Sequence, residues 1–263
     1  MAFPSCRSFN GIIPLDGKKE KENHMEHVIS VENMRLSDRM TIESGTSSLI
    51  LMRKAAEGIR ASYSYPGKTA VIAGSGNNGG DGFALAEILA AEGKDVDIYT
   101  VSDHFSEDSE YYKDRVIQAG VAVRPYSEGC LDPYDTIVDC LLGTGFKGEV
   151  RGRCRDAITG INNSSAFVIS ADINSGMNGD TGEYSLTVRS DITVTIGYLK
   201  AGLVTAYLKK DPAIGSLVKT DIGIGLAKEE NYLLSDEEWA ARKMPPGSDI
   251  LVIDGHIYFR GNI

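Results

Sequence analysis

The stretch GSGNNGGDG, from Gly74 to Gly82, combines the spacing of a phosphate loop with two amides and a carboxylate. Gly74, Gly76 and Gly79 satisfy GxGxxG, which alone also marks an ordinary tight turn between strand and helix. Backbone N–H groups at a helix start favour anions. Asn77, Asn78 and Asp81 add groups that a plain phosphate loop does not need, although Asp81 also reads as a helix N-cap. Asp139 and Asp172 each end an apolar run. Either alone reads first as a turn cap. Together, with Ser175 and Asn78 near them in the expected layout, they make an oxygen-rich set that suits a hard cation rather than zinc. Lys147, between glycines in GTGFKGE, is either a solvated lysine or a cation free to reach a bound phosphate or an oxygen-bearing reaction centre. Lys200, in GYLKAG, has the same two readings, and the structural one is preferred.

These residues need elements that bring them to one edge. Strands are expected at Thr69–Ala73, Val96–Thr100, Thr136–Asp139, Ala166–Ala171, Ile192–Ile196 and Ser216–Thr220. Helices are expected at Gly82–Glu92, Ser109–Ala119 and Cys154–Asn162, preceded by two N-terminal helices. In the second of these, Leu51, Met52, Ala55, Ala56 and Ile59 share a face, with Ser47 or Ser48 as N-cap. Near-continuous apolar runs suit strands buried on both faces of a parallel sheet. The alternation predicts an α/β fold: a Rossmann-like, doubly wound, mostly parallel sheet in three αβα layers. Ligands of such sheets bind outside the carboxyl ends of the strands, where the glycine-rich loops fall.

Composition narrows the partners. The 263 residues fit one large domain better than two small ones. A net charge of −10 without a basic run argues against nucleic acid. No apolar stretch approaches membrane-spanning length. Cys6, Cys130, Cys140 and Cys154 have neither zinc-finger nor disulfide-framework spacing, so reduced thiols in the cytoplasm are expected. Residues 1–24 are polar and irregular and read as a mobile extension, with Met25 as an alternative start. Residues 25–228 read as the domain, and 229–263 as a tail holding a hairpin around Gly255 or the start of a linker.

Several motifs occur together in one order: GSGNNGGDGFALAEIL, DCLLGTGFKGEVRG, SADINSGMNGDTGE, TVTIGYLKAGL and GSLVKTDIGI. With the lead-in ENMRLSDRMTIESG, the chain from Val31 to Gly225 resembles the NAD(P)H-hydrate epimerases, the YjeF N-terminal family. The resemblance implies repair of hydrated NADH and NADPH by interconversion of their R and S forms. It implies that Asn77, Asn78, Gly79, Gly80 and Asp81 contact the substrate. Gly143, Thr144, Gly145, Phe146, Lys147, Gly148 and Glu149 would contact it from a second loop. Asp172 would bind substrate and act as acid/base, with Lys147 assisting electrostatically. Asn78, Asp139 and Ser175 would hold a potassium ion.

The family also occurs fused to a dehydratase. This chain is too short to hold one, so a separate partner dehydratase is expected, and the Pro245-Pro246-Gly247 break stands where a linker would begin. A homodimer packed through the N-terminal helices is a further expectation. Two departures stand out. Arg53 and Lys54 replace an acid and an amide of the family's LMENAG, and Asn174 replaces the proline of D-I-P-S-G. The first keeps a second reading open, a non-catalytic nucleotide-binding or interaction module with the same fold. A conventional dehydrogenase lacks support, because no acid ends the second strand roughly 20 residues after the glycine loop.

Overall fold

Each apolar run becomes a strand, and each amphipathic stretch a helix. The computed structural model describes residues 25–263; the expected extension 1–24 lies outside the described residues. The chain opens with β1 (Glu26–Ile29), α1 (Val31–Glu43) and α2 (Ser48–Ala61). It continues through β2 (Lys68–Ala73), α3 (Asn77–Ala91), β3 (Asp95–Thr100), α4 (Glu107–Gln118) and β4 (Val123–Pro125). Next come β5 (Thr136–Cys140), α5 (Gly152–Asn163), β6 (Phe167–Ala171), β7 (Ser190–Ile196) and β8 (Leu199–Lys200). The remainder is α6 (Ala201–Leu208), β9 (Ile214–Thr220), β10 (Asn231–Leu234), α7 (Asp236–Ala241), β11 (Ile250–Ile253) and β12 (His256–Arg260).

Seven strands form one sheet in the order β4-β3-β2-β5-β6-β7-β9. Every neighbouring pair is parallel. All six expected strands lie in it, with ends displaced by two residues at most. Successive strand residues face opposite layers. Val71 and Ala73 of β2 join the core under α2, α3 and α4, while Ala70 and Ile72 join the core under α5. The result is the doubly wound, three-layer α/β architecture. The chain steps outward from β2 through β3 to β4, then returns to place β5 on the other side of β2. That reversal opens a crevice at the carboxyl ends of β2 and β5.

Helix α3 starts at Asn77, five residues before the expected start at Gly82. Glycine costs a helix about 1 kcal/mol per residue, so the run NNGGDG reads as loop. Close packing outweighs that cost here. A Cβ on Gly79 would lie 2.2 Å from the Gly74 carbonyl oxygen, and one on Gly80 would lie 2.5 Å from Met52 Cε. The first turn of α3 therefore packs between the loop after β2 and helix α2.

Five strands form a second sheet, β11-β12-β10-β1-β8. The hairpin expected around Gly255 joins β11 and β12 antiparallel. Its turn residues Asp254 and Gly255 both have positive φ, 51° and 82°, as a two-residue I′ turn requires. The segment 229–263 also supplies β10, which pairs antiparallel with β1 from the other end of the described chain. A third core, including Val28, Leu199, Leu203, Leu233 and Phe259, fills the space between this sheet and α6. Among the described residues, no helix is long and apolar enough to cross a membrane.

The approach of the β2 loop to the β5 loop is the tightest constraint on the crevice. A Cβ on Gly74 would sit 1.8 Å from the Leu141 carbonyl oxygen, and the Gly74 N–H donates to Cys140 O at 2.9 Å. Gly74→Ala is expected to destabilise the fold by about 3 kcal/mol through overpacking. A thermal melt checks this: Tm should fall by at least about 6 °C, and an unchanged Tm would contradict the packing.

Candidate active site

A cavity of about 500 Å³ fills the crevice. The loop after β2 and the first turn of α3 contribute Ser75, Gly76, Asn77, Asn78 and Asp81. The loop after β5 contributes Leu141 to Phe146, and the loop after β6 contributes Asp172. From α1 come Met34, Arg35, Asp38 and Ile42, and from α2 come Leu51, Met52 and Ala55. Residues far apart in sequence converge closely. A Cβ on Gly143 would lie 3.3 Å from Asn78 Cβ and 3.5 Å from Asp172 Oδ2.

Asp172 has a φ of +66°, a left-handed conformation that aspartate tolerates better than most residues. Strain of this kind costs of order 1–3 kcal/mol and concentrates at functional sites. Surrounding bonds hold it. The Asp172 N–H donates to Val194 O at 2.8 Å. The Lys200 ammonium donates to Asp172 Oδ1, and also to Ile196 O at 2.6 Å and Thr195 Oγ1 at 3.1 Å. Lys200 is fully buried, whereas the Asp172 side chain keeps 15% exposure toward the cavity. The Thr144 N–H approaches Asp172 Oδ2 at 3.4 Å.

Asn174 anchors the same loop from below. Its Nδ2 donates to Val188 O, Ser190 Oγ and Ala213 O, and its Oδ1 accepts from Thr193 Oγ1. The amide that replaces the family's proline is thus fully engaged in fixing the loop to β7 and β9.

Asp139 sits beneath the cavity and is wholly buried. It accepts from Ser170 Oγ, from Ser175 N–H and Oγ, and from Leu141 N–H. Burial raises its pKa, and these hydrogen bonds oppose the rise. Ser175 Oγ in turn accepts from Leu142 N–H at 2.8 Å, which links Asp139 to the cavity wall. The carboxamide of Asn78 is buried with neither polar atom hydrogen-bonded among the described residues. Burial, followed by the charges of Asp172 and Asp38, pushes the Asp81 carboxyl well above the usual carboxylate range.

Other expected site residues fall elsewhere. Gly79 and Gly80 pack beneath the cavity against Gly74 and Met52. Lys147, Gly148 and Glu149 are exposed and outside the lining. Glu149 pairs with Arg151 in solvent. The lysine beside Asp172 is Lys200, for which the sequence reading preferred a structural role. Arg53 bonds to Glu57 and Glu87, and Lys54 is exposed; neither lines the cavity. Arg35 and Asp38 also line the cavity, although no sequence motif singles them out. The signal was present, because Arg35, Asp38 and Ile42 follow helical spacing and share one face of α1.

Fold and site together define a doubly wound α/β protein with a carboxylate-lined cavity at its topological switch point. The family model described as YjeF-related protein N-terminus matches residues 48–202, and the chain belongs to this family. It is 37% identical over 206 residues to an NAD(P)H-hydrate epimerase of Limosilactobacillus reuteri, covering 75% of this chain and 97% of that one. It is 35% identical over 201 residues to a protein of Archaeoglobus fulgidus named bifunctional NAD(P)H-hydrate repair enzyme Nnr, covering 74% of this chain and 41% of that one. The crystal structure of yeast ynu0 superposes with a TM-score of 0.60 at 20% identity, over 70% of this chain and 85% of that one. This last likeness concerns the fold.

Removing one partner of a buried ion pair costs roughly 3–5 kcal/mol because the other charge is left unpaired. Lys200→Met is therefore expected to destabilise the protein more than the double variant Lys200→Met/Asp172→Asn. Denaturant unfolding of both single variants and the double checks this, and a double-variant loss equal to the sum of the two single losses would show that the side chains are not coupled.

Proposed function

We propose that this chain is an isomerase, an NAD(P)H-hydrate epimerase that interconverts the R and S forms of hydrated NADH and NADPH in nicotinamide nucleotide repair. The observation that carries the reading is the single cavity shared by Asn78, Gly143 and Asp172, in a chain that aligns along 97% of an epimerase. The dinucleotide phosphates lie toward the start of α3, where backbone N–H groups and the helix dipole favour anions. Asn77, Asn78, Asp81 and the loop Gly143 to Phe146 line the path of the substrate.

The hydroxyl-bearing ring carbon is bonded to the ring nitrogen, so it is a hemiaminal-like centre. It inverts through loss of the hydroxyl or through ring opening. Either route moves a proton near that oxygen, and a positioned carboxylate contributes about 10²–10⁴-fold. Asp172 is that carboxylate. Lys200 orients it and supplies the fixed positive charge that the sequence reading gave to Lys147. Lys147, exposed at the outer side of its loop, is left to contact parts of the nucleotide outside the cavity.

The cation in this reading is potassium, held by Asp139, Ser175 and Asn78. Two observations support a hard monovalent ion. Asp139 is buried without an ion pair among the described residues, and the Asn78 carboxamide is buried without a hydrogen bond among them. Bound there, the ion supplies a countercharge and ties together the loops after β5 and β6. At equal ionic strength, Tm is expected to be higher in potassium chloride than in sodium or choline chloride. Asp139→Asn should abolish the difference, and identical Tm values in all three salts would contradict the ion site.

The protein acts in the cytoplasm, where its S product passes to a dehydratase. Homodimer formation draws support from exposed Leu36, Met40 and Ile50 on the N-terminal helices. The deciding experiment mixes purified protein with R-hydrated NADH and an S-specific dehydratase. NADH should form faster than the spontaneous rate allows. Asp172→Asn should lower kcat by at least about 10²-fold, and Lys147→Ala should act on KM alone. No acceleration by the wild type would favour a non-catalytic binding module.

A further inference from the structure

Asp38 is a second carboxylate inside the cavity, brought there by α1 rather than by the sheet. It forms no ion pair with a described residue. Charged and titratable groups of the surrounding elements lie around the same cavity. They are Asp172 from the loop after β6, Asp81 from α3, Lys200 from β8, Arg35 one turn earlier on α1, and Asp108 at the start of α4. Lys200 is already committed to Asp172. Burial, followed by the charge of Asp172, raises the Asp38 pKa to about 6, with Lys200 pulling the other way. The two carboxylates thus differ in kind. Asp172 is paired with a cation, and Asp38 keeps its proton up to about pH 6. Such separated environments divide acid and base roles between two carboxyl groups.

Inversion at one carbon by hydroxyl loss needs a proton donor on the face that loses oxygen and an acceptor on the face that gains it. Resting on the epimerase reading above, we infer that Asp38 is the second acid–base group of the reaction, working from α1 against Asp172. Asp38 gives its proton to the hydroxyl oxygen as the carbon–oxygen bond breaks, and water departs. The ring nitrogen lone pair closes an iminium. Water adds to the opposite face and its proton passes to Asp172, which then releases it to solvent as Asp38 takes one up. The reverse direction exchanges the roles. The cavity side of α1 is therefore catalytic and not only a roof.

The sign of the pH dependence follows. The protonated form of Asp38 is the donor and persists to about pH 6 in the free protein. A bound ring that excludes water raises this midpoint further. Turnover of the R form therefore falls as pH rises past it. The test compares kcat and KM for wild type, Asp38→Asn and Asp38→Glu across pH 5–9, after subtraction of the spontaneous rate. Asp38→Asn should lose about 10²-fold in kcat, with KM changed less than about threefold, and its profile should lack the descending limb. Asp38→Glu should recover part of the rate with the limb displaced. A folded Asp38→Asn with wild-type kcat and an unchanged limb would overturn the assignment. So would an Asp38→Glu limb that does not move, which decides the matter if the asparagine variant fails to fold. A wild type without activity would instead remove the epimerase reading itself.

Discussion

A buried lysine ammonium must find an anion, and in this protein it finds one at a strained turn. Lys200 is inaccessible to solvent, and its bonds to Thr195, Ile196 and Asp172 take up its three donors. The pairing holds Asp172 in the left-handed region at the end of β6. The cost of that conformation is offset by a charge-assisted bond in a site of low dielectric. The pair also ties the second sheet, through β8, to the carboxyl edge of the first. The edge of the second sheet thereby reaches the chemistry.

The remaining site geometry follows from how closely the backbone can approach itself at the switch point. Gly74 lets the loops after β2 and β5 touch, Gly79 lets the first turn of α3 lie on the loop after β2, and Gly80 lets Met52 of α2 and Ser109 of α4 close on that turn. Asn77 and Asn78 then open the helix at the cavity, and Asp81 enters it one turn later. The glycines thus serve packing as much as ligand approach. Helices α1 and α2 close the crevice with Met34, Leu51, Met52 and Ala55. These apolar surfaces desolvate Asp38 and Asp81 and keep their carboxyls protonated to higher pH than in water.

Much of this was legible in the residues. The six strands of the parallel sheet were readable because strands buried on both faces are continuous apolar runs. Asn78, Gly143 and Asp172 were readable as neighbours because loops at strand carboxyl ends share one edge. Three features were not. The start of α3 was hidden because helix propensity disfavours NNGGDG, and only the contacts of Gly79 and Gly80 reveal why glycine stands there. The second sheet was hidden because β1 and β10 are four residues each and pair across about two hundred positions, Glu26 with Leu233. The choice between Lys147 and Lys200 was hidden because burial, not spacing, separates them. Arg53 and Lys54, which set this chain apart from the family pattern, point away from the cavity and leave its lining to Leu51, Met52 and Ala55.

The central claim is that one cavity places the hydroxyl-bearing ring of a hydrated nicotinamide dinucleotide against the Asp172–Lys200 pair. A crystal structure with R-hydrated NADH tests it most directly. The expected result is the hydrated ring inside the cavity, its hydroxyl-bearing carbon facing the Asp172 carboxylate, with the pyrophosphate at the start of α3. A dinucleotide bound with its hydrated ring outside the cavity, or with no group of the ring near Asp172, would contradict it.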